Sequence, residues 1–123
     1  MGHFILSIKH TFSAARALRD YQGQCANVHG HNFTVEAKIK TPEVDKGYVL
    51  DYYEAKIYLA EISEKIDHNY LNDIAPFDTV NPTTENLAKY FYQQLVPYLD
   101  DSPATMEAVT VWEMDEFAAT YCQ

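Results

Sequence analysis

Two long stretches of alternating apolar and polar residues constrain the fold of this chain more than any other feature of its sequence. The first covers residues 4–16 and the second covers residues 29–41. Successive side chains of a β-strand point to opposite faces of the sheet, so each stretch predicts a strand with one buried row and one polar row. The buried rows are expected to hold Phe4, Leu6, Ile8, His10, Phe12, Ala14 and Arg16 in the first strand, and His29, His31, Phe33, Val35, Ala37 and Ile39 in the second.

The rest of the sequence predicts two helices and further strands. Apolar residues recur at helical spacing over residues 53–66, and a second helix is expected to open at Thr83, a favourable N-cap. Residues 48–52 are β-prone, residues 106–113 predict a last long strand, and the C-terminal tail has room for one more. This order predicts an α+β fold in which an antiparallel sheet carries two helices on one face, as one domain over residues 1–123.

The composition argues against several classes of partner. The chain has 9 Lys and Arg against 18 Asp and Glu, a net charge of −9, which disfavours nucleic acid and anionic membrane surfaces. No window approaches eighteen apolar residues and the N-terminus has no basic leader, so we expect a cytoplasmic protein with no membrane span. Without a secretion signal, a disulfide between Cys25 and Cys122 is the weaker interpretation, and Cys122 is expected to be a free thiol.

The segment Cys25–His31 carries the densest group of chemically active side chains. His29 and His31 are two residues apart, so on a strand their imidazoles share one face, while Gly30 leaves the opposite face open to close approach. Two imidazoles with a thiol upstream are typical of half of a transition-metal site beside a nucleophile or base. The alternative is a strand that simply begins with two histidines.

Further candidates lie elsewhere in the chain, each with a structural alternative. Asp67 and His68 are adjacent, and their side chains are not expected to interact readily. Asp67 either orients His68 or partners groups of another subunit. The structural alternative is that His68 lies at a helix C-terminus and interacts favourably with the helix dipole. Glu113 ends an apolar row, where burial of a carboxylate is costly unless it is paired or binds a ligand. The structural alternative is an exposed acid at the end of the strand. Arg16 ends a row too, and either reaches solvent or contacts an anion. Thr84 lies in a helix-capping segment by default.

Several short blocks follow one another along nearly the whole chain. They are Phe12-Ser13-Ala14-Ala15, Cys25-x-x-x-His29-Gly30-His31, Gly47-Tyr48-Val49-Leu50-Asp51-Tyr52, Asp67-His68-Asn69-Tyr70-Leu71-Asn72, Pro82-Thr83-Thr84-Glu85-Asn86-Leu87-Ala88 and Trp112-Glu113. In this order the blocks resemble the 6-pyruvoyltetrahydropterin synthase family, most closely the bacterial 6-carboxytetrahydropterin synthases of queuosine biosynthesis. A shared order of blocks is far more specific than any one of them.

The resemblance implies a tunnelling fold, in which the sheets of several subunits join edge to edge into a barrel, usually a hexamer of two trimers. It implies active sites between subunits of a homo-oligomer, a zinc ion on three histidines, a cysteine base, an Asp–His pair from a neighbouring subunit and a glutamate that anchors the pterin. By position these roles fall to His29 and His31 for zinc, Cys25 as base, Asp67 and His68 as the pair, and Glu113 as anchor. Thr84 and Arg16 are further candidates for substrate binding.

Arg16 is the departure from the family pattern, because the first motif there normally ends in the third zinc histidine. An arginine has no lone pair to give to a metal, so the third ligand stays open among Cys25, His10 and His68 of another subunit. About 20 Å of strand separates His10 from Arg16, which disfavours it. Arg16 and Arg19 are the chain's two arginines, both beside the motif. A further hypothesis is that Arg16 replaces part of the metal's charge or holds an anionic group of the substrate.

The function implied by the resemblance is a lyase reaction. The carboxy enzymes convert 7,8-dihydroneopterin triphosphate to 6-carboxytetrahydropterin and release acetaldehyde and triphosphate. The alternative is a homologue that binds a pterin or purine with altered or lost catalysis, because Arg16 replaces the expected histidine.

Overall fold

The computed structural model describes residues 2–23 and 26–123, and these form a five-stranded sheet with two α-helices. The α+β class predicted from the sequence is confirmed. In chain order the elements are β1 (His3–Arg16), β2 (His29–Pro42), α1 (Tyr52–Glu64), β3 (Asn69–Tyr70), α2 (Thr84–Leu95), β4 (Thr105–Met114) and β5 (Phe117–Tyr121).

The two alternating stretches form β1 and β2, the antiparallel pair around which the sheet is built. The register places Arg16, the last residue of β1, opposite His29, the first residue of β2. One face of each strand is buried over most of its length, as the alternation predicts, but the prediction is wrong for Phe4, which is 54% exposed because the first residues of β1 extend beyond the helices. On that face Phe12 stacks on Phe33 with ring centroids 5.2 Å apart, and Phe91 of α2 packs against Phe12. The core therefore lies between this face and the helices.

The sheet is mixed, so the prediction of a purely antiparallel sheet is wrong. Its strand order is β3-β1-β2-β4-β5, and β3 runs parallel to β1, with Asn69 opposite Ala14. The chain passes through α1 before it returns to the edge of β1, which permits a parallel strand there. A two-residue strand has no periodicity from which it could be predicted. The further strand expected in the C-terminal tail is confirmed as β5.

Both helices begin at side-chain caps, one of which was expected. The Thr83 hydroxyl accepts a hydrogen bond from the Asn86 amide at 3.1 Å, which confirms the predicted start of α2. The prediction of a strand over residues 48–52 is wrong, because Asp51 caps α1 instead and accepts from the Tyr53 amide at 2.9 Å. Within the described residues, neither helix has the length and hydrophobicity that a membrane span requires.

Candidate active site

The buried face of the sheet changes from apolar to polar at one end. The rows that hold Phe12 and Phe33 continue into Arg16 of β1, His29 and His31 of β2, and Glu113 near the end of β4. We call these four polar residues the end cluster. Because β1, β2 and β4 are neighbours in the sheet, three distant parts of the sequence meet there.

Arg16 is buried within the end cluster, with a relative exposure of 2%. Its guanidinium donates to the carboxylate of Glu113, to the Pro82 carbonyl at 3.0 Å and to the Thr84 hydroxyl at 3.4 Å. It also lies over the Phe33 ring, 5.1 Å from the centroid. The interpretation that Arg16 reaches solvent at the strand end is therefore wrong, because the residues that precede and open α2 cover it.

Glu113 is held between a guanidinium and an imidazole. Its Oε1 accepts from Arg16 and lies 3.4 Å from Nε2 of His31. Its side chain is 20% exposed, so the alternative of a freely exposed strand-end acid is wrong. A buried arginine needs such a counter-charge, since an uncompensated charge in a protein interior is strongly destabilising.

His29 is oriented in a way that suits a metal ligand. Its Nδ1 lies 2.7 Å from the backbone carbonyl of Asn27, so this nitrogen carries the proton and donates it. Its Nε2 is buried without a hydrogen-bond partner among the described residues. A hydrogen bond from one ring nitrogen to a carbonyl is how proteins commonly fix a histidine whose other nitrogen binds a metal.

His31 packs beside His29 and stays neutral more readily than an ordinary histidine. The two rings meet edge to face, with centroids 4.7 Å apart. Burial lowers the pKa of His31, the nearby Glu113 carboxylate opposes this, and the charges of Arg16 and His29 add to the lowering. A neutral imidazole keeps the lone pair that a metal requires.

Three members of the end cluster fit a divalent metal ion. Potential ligand atoms of His29, His31 and Glu113 all lie within 4.8 Å of one another. Two imidazoles and a carboxylate are a known donor set of catalytic zinc sites. Arg16 supplies no donor, and His10 and His68 are not part of this group. Cys25 lies outside the described residues.

Asp67 and His68 form a pair through their own side chains, so the expectation that adjacent residues do not readily interact is wrong here. His68 has a φ of 60°, in the left-handed region, and this turns its ring back until Nδ1 lies 2.9 Å from Oδ1 of Asp67. The same oxygen accepts from the Ser13 amide at 2.9 Å, which ties the pair to β1. Unlike the end cluster, the pair is open, with His68 81% exposed.

Two of the depressions beside these groups join candidate site residues. One, of about 470 Å³, contains both His31 and His68 and is completed by Ser13, Ala14, Ala15, Gly30, Asn32, Asn69 and Tyr70. A Cβ at Gly30 would lie 3.8 Å from the Ala14 carbonyl oxygen, an ordinary contact, so the close approach expected at this glycine is not seen. The second depression, of about 260 Å³, contains Thr84 and Glu113 beside β5. Each depression therefore joins residues that were predicted from different blocks of the sequence.

Sequence reasoning missed the groups that hold the end cluster in place. The carbonyls of Asn27 and Pro82 are backbone atoms, for which a sequence carries no signal. Arg19 was grouped with Arg16 only by its position. It instead donates to the Phe77 carbonyl at 2.7 Å and shares two hydrogen bonds with Asn81, so it fixes the loop before α2.

Comparisons with known proteins agree with this architecture. The family model described as PTPS: 6-pyruvoyl tetrahydropterin synthase matches residues 5–123. The 6-carboxy-5,6,7,8-tetrahydropterin synthase of Bacillus subtilis is 30% identical over 118 residues, which cover 92% of this chain and 78% of the relative. The dihydroneopterin monophosphate aldolase of Pyrococcus furiosus is 31% identical over 107 residues, 87% of each chain.

A solved structure shows the same fold over the whole chain. The 6-pyruvoyl tetrahydropterin synthase of Caenorhabditis elegans superposes with a TM-score of 0.88 at 25% identity, and covers 100% of this chain and 97% of its own. The resemblance noted in the sequence is confirmed by both kinds of comparison. This chain belongs to the 6-pyruvoyl tetrahydropterin synthase family.

Proposed function

We propose that this chain is a carbon–carbon lyase that converts 7,8-dihydroneopterin triphosphate to 6-carboxytetrahydropterin, with release of acetaldehyde and triphosphate, for queuosine and 7-deazapurine biosynthesis. Family membership supports a pterin substrate, and the Bacillus subtilis relative is named for this product. The alternating rows, the order of the matching blocks and the end cluster all support a site at one end of the sheet.

The observation that carries the proposal is the convergence of three family blocks in the end cluster. His29, His31 and Glu113 come together with the start of α2, although β4 is far from β2 in sequence. A purely structural role would not explain why a buried imidazole nitrogen of His29 lacks a partner among the residues that the structure describes. Such a group instead suits a ligand.

The roles at the metal side follow from donor chemistry. His29 and His31 would hold a zinc ion, which when bound acts as a Lewis acid and acidifies C–H and O–H bonds beside the oxygens of the substrate side chain. Glu113 is proposed to receive N–H donors of the pterin ring through Oε2, because Oε1 already accepts from Arg16. Thr84, which lines the depression beside Glu113, is proposed to contact the same substrate.

The proton-transfer roles are assigned to Cys25, Asp67 and His68. Cys25 is proposed as the general base, since a thiol near a cation loses its proton at neutral pH. Asp67 accepts from Nδ1 of His68, so Nε2 is the nitrogen that takes up or gives a proton. The high exposure of His68 supports a role at a surface shared between subunits, in a trimer or hexamer.

A second candidate is favoured by one relative and by Arg16. The Pyrococcus furiosus relative is named an aldolase of dihydroneopterin monophosphate, so this chain is alternatively a lyase for that substrate. Replacement of the third histidine by Arg16 also supports a homologue that binds a pterin or purine without turnover. A direct contact between Arg16 and a phosphate is disfavoured, because Arg16 is 2% exposed and contacts Glu113, Pro82 and Thr84.

Product analysis tests these alternatives directly. The zinc-supplied protein is incubated with 7,8-dihydroneopterin triphosphate, and we expect acetaldehyde and 6-carboxytetrahydropterin in equal amounts. His31→Ala should abolish turnover, while His3→Ala, at the far end of β1, should not. Cleavage of the monophosphate with no reaction of the triphosphate would favour the aldolase. Binding without turnover of either compound would contradict a lyase and support a binding protein.

A further inference from the structure

We propose that Glu113 is the third metal ligand of this chain, in a site formed by His29, His31 and Glu113, because Arg16 stands where a third histidine is expected. The inference rests on the metal site of the proposed function, but not on the identity of the substrate. It changes the donor set from three imidazoles to two imidazoles and a carboxylate. Glu113 then has a role besides pterin recognition.

The separation of the donor atoms supports ligation by Glu113. Nε2 of His31 and Oε1 of Glu113 are 3.4 Å apart. Two ligand atoms of a tetrahedral zinc site with bonds of 2.0–2.1 Å are about 3.3–3.4 Å apart, so this pair already has the spacing of two zinc ligands. The potential ligand atom of His29 lies within 4.8 Å of both. A small movement of the His29 ring would complete the three-ligand set.

The hydrogen bond made by Nδ1 of His29 leaves Nε2 as the nitrogen available for the same ion. The Asn27 carbonyl accepts from Nδ1, so the lone pair is on Nε2, which is buried and unpartnered among the described residues. A buried acceptor without a partner is unfavourable unless a ligand satisfies it. A cation placed between His29, His31 and Glu113 would do so.

Arg16 does not prevent ligation by the carboxylate that it contacts. A carboxylate offers about four lone-pair sites, so Oε1 can accept from Arg16 through one and bind a metal through another. Arg16 is fixed at the same time by Pro82 and Thr84, which keeps the Glu113 carboxylate next to His31. The negative charge of Glu113 also offsets the repulsion between the guanidinium and a cation.

Zinc binding to the full-length protein, measured without any pterin, tests this ligand set. We expect one zinc ion per chain in calorimetric titration of metal-free protein. Glu113→Gln should weaken zinc binding by about 100-fold or more, since loss of a ligand exceeds the 10- to 100-fold typical of a supporting residue. The matched control is Glu116→Gln, an exposed acid between β4 and β5, which should leave the affinity unchanged. Equal affinity of the two variants would overturn the proposal.

A second variant keeps the test valid if Glu113→Gln does not fold. Combining Arg16→Met with Glu113→Gln removes both charges of the buried pair together. Loss of the Arg16 charge alone would favour a cation, so weaker zinc binding by the double variant is assigned to the missing carboxylate ligand. The reference is Arg16→Met alone, and equal zinc affinity of the single and the double variant would contradict ligation by Glu113.

The number of bound imidazoles separates this ligand set from the alternatives. Long-range proton–nitrogen NMR spectra of the wild type should show that zinc shifts the rings of His29 and His31 only. A third shifted ring from His10 or His68, or a thiolate band of the cobalt form that disappears in Cys25→Ser, would overturn the proposal. Zinc binding with no turnover would contradict the proposed function alone, whereas absence of zinc binding would overturn this inference.

Discussion

The end cluster and the Asp67–His68 pair place similar chemical groups in opposite environments. In the cluster, Arg16 is 2% exposed and its partner Glu113 is 20% exposed, and three strands and the start of α2 hold the groups. In the pair, His68 is 81% exposed and has a left-handed backbone, and two hydrogen bonds with Ser13 join the two residues to β1: Asp67 accepts from its amide, and the His68 amide donates to its carbonyl. The difference indicates that the end cluster is formed within a single chain, whereas the pair is accessible to a substrate or a neighbouring subunit at the surface.

This contrast has an energetic side. Charges removed from water need partners, so a change within the cluster should affect stability as well as activity. An exposed imidazole contributes little to stability, so a change at His68 should affect activity alone. The following predictions test that division, from the largest expected effect to the smallest.

The largest effect is expected on turnover from His68→Asn. Asparagine tolerates the left-handed backbone of residue 68, so the fold should be kept. Loss of a proton-transferring group should lower kcat by about 10²–10⁴-fold, while the free energy of unfolding changes by less than about 0.5 kcal/mol. Steady-state kinetics and urea unfolding measure the two quantities. An active variant would show that the pair takes no part in catalysis.

Mixed oligomers show whether the pair serves its own chain or a neighbour. His31→Ala and His68→Asn chains are each inactive in the proposed mechanism, and they are denatured and refolded together. If the pair acts across an interface, mixing should raise activity by on the order of 10²-fold over either variant alone. His31 and His68 also line one groove within a single chain. Absence of recovery in confirmed mixed oligomers would therefore assign the pair to its own chain.

Within the cluster, Glu113→Gln should destabilise the fold. The variant leaves Arg16 buried without its counter-charge, so we expect a loss of about 3 kcal/mol in the free energy of unfolding. Glu116→Gln is the matched control, and urea denaturation of the metal-free proteins is the measurement. Two variants of equal stability would show that the buried ion pair contributes nothing to the fold.

Asp67→Ala should have a smaller effect on stability than Glu113→Gln. It removes the acceptor of the Ser13 amide, a partly buried hydrogen bond, and should cost about 1 kcal/mol. The same urea experiment measures it, with Asp78→Ala, in the exposed loop before α2, as control. If Asp67→Ala lowers the free energy of unfolding as much as Glu113→Gln does, the two regions do not differ in their contribution to stability.

The smallest effect concerns His10 of β1, which lines a depression together with Asp67. Burial lowers the pKa of His10, the charge of Lys56 lowers it further, and the charge of Asp67 opposes both. Glu61 and Glu64 of α1 line the same depression as His10 and Asp67. The unfolded chain then takes up the proton first, so acidification through the usual histidine range should lower stability. Urea unfolding at pH 7.5 and pH 5.5 should show a weaker pH dependence for His10→Gln. An unchanged dependence would contradict the lowered pKa.

Much of the fold was predictable because it follows from local rules. The alternation in β1 and β2 reports which face is buried, and the Thr83 cap is a local hydrogen bond. The errors fell where local rules do not decide. Residues 48–52 are β-prone but become the approach to the Asp51 cap, and β3 is too short for any pattern.

The sequence by itself determined the buried rows, the family and the residues at the ends of those rows. Tertiary structure decided what these residues contact. Arg16 and Glu113 are 97 positions apart, and their pairing depends on strand order and register, which no local pattern contains. Because the tertiary structure buries Arg16, this residue at the end of β1 does not reach solvent and instead supplies the counter-charge of Glu113. Alternation is set by the backbone of each strand, whereas a site is set by which strands become neighbours.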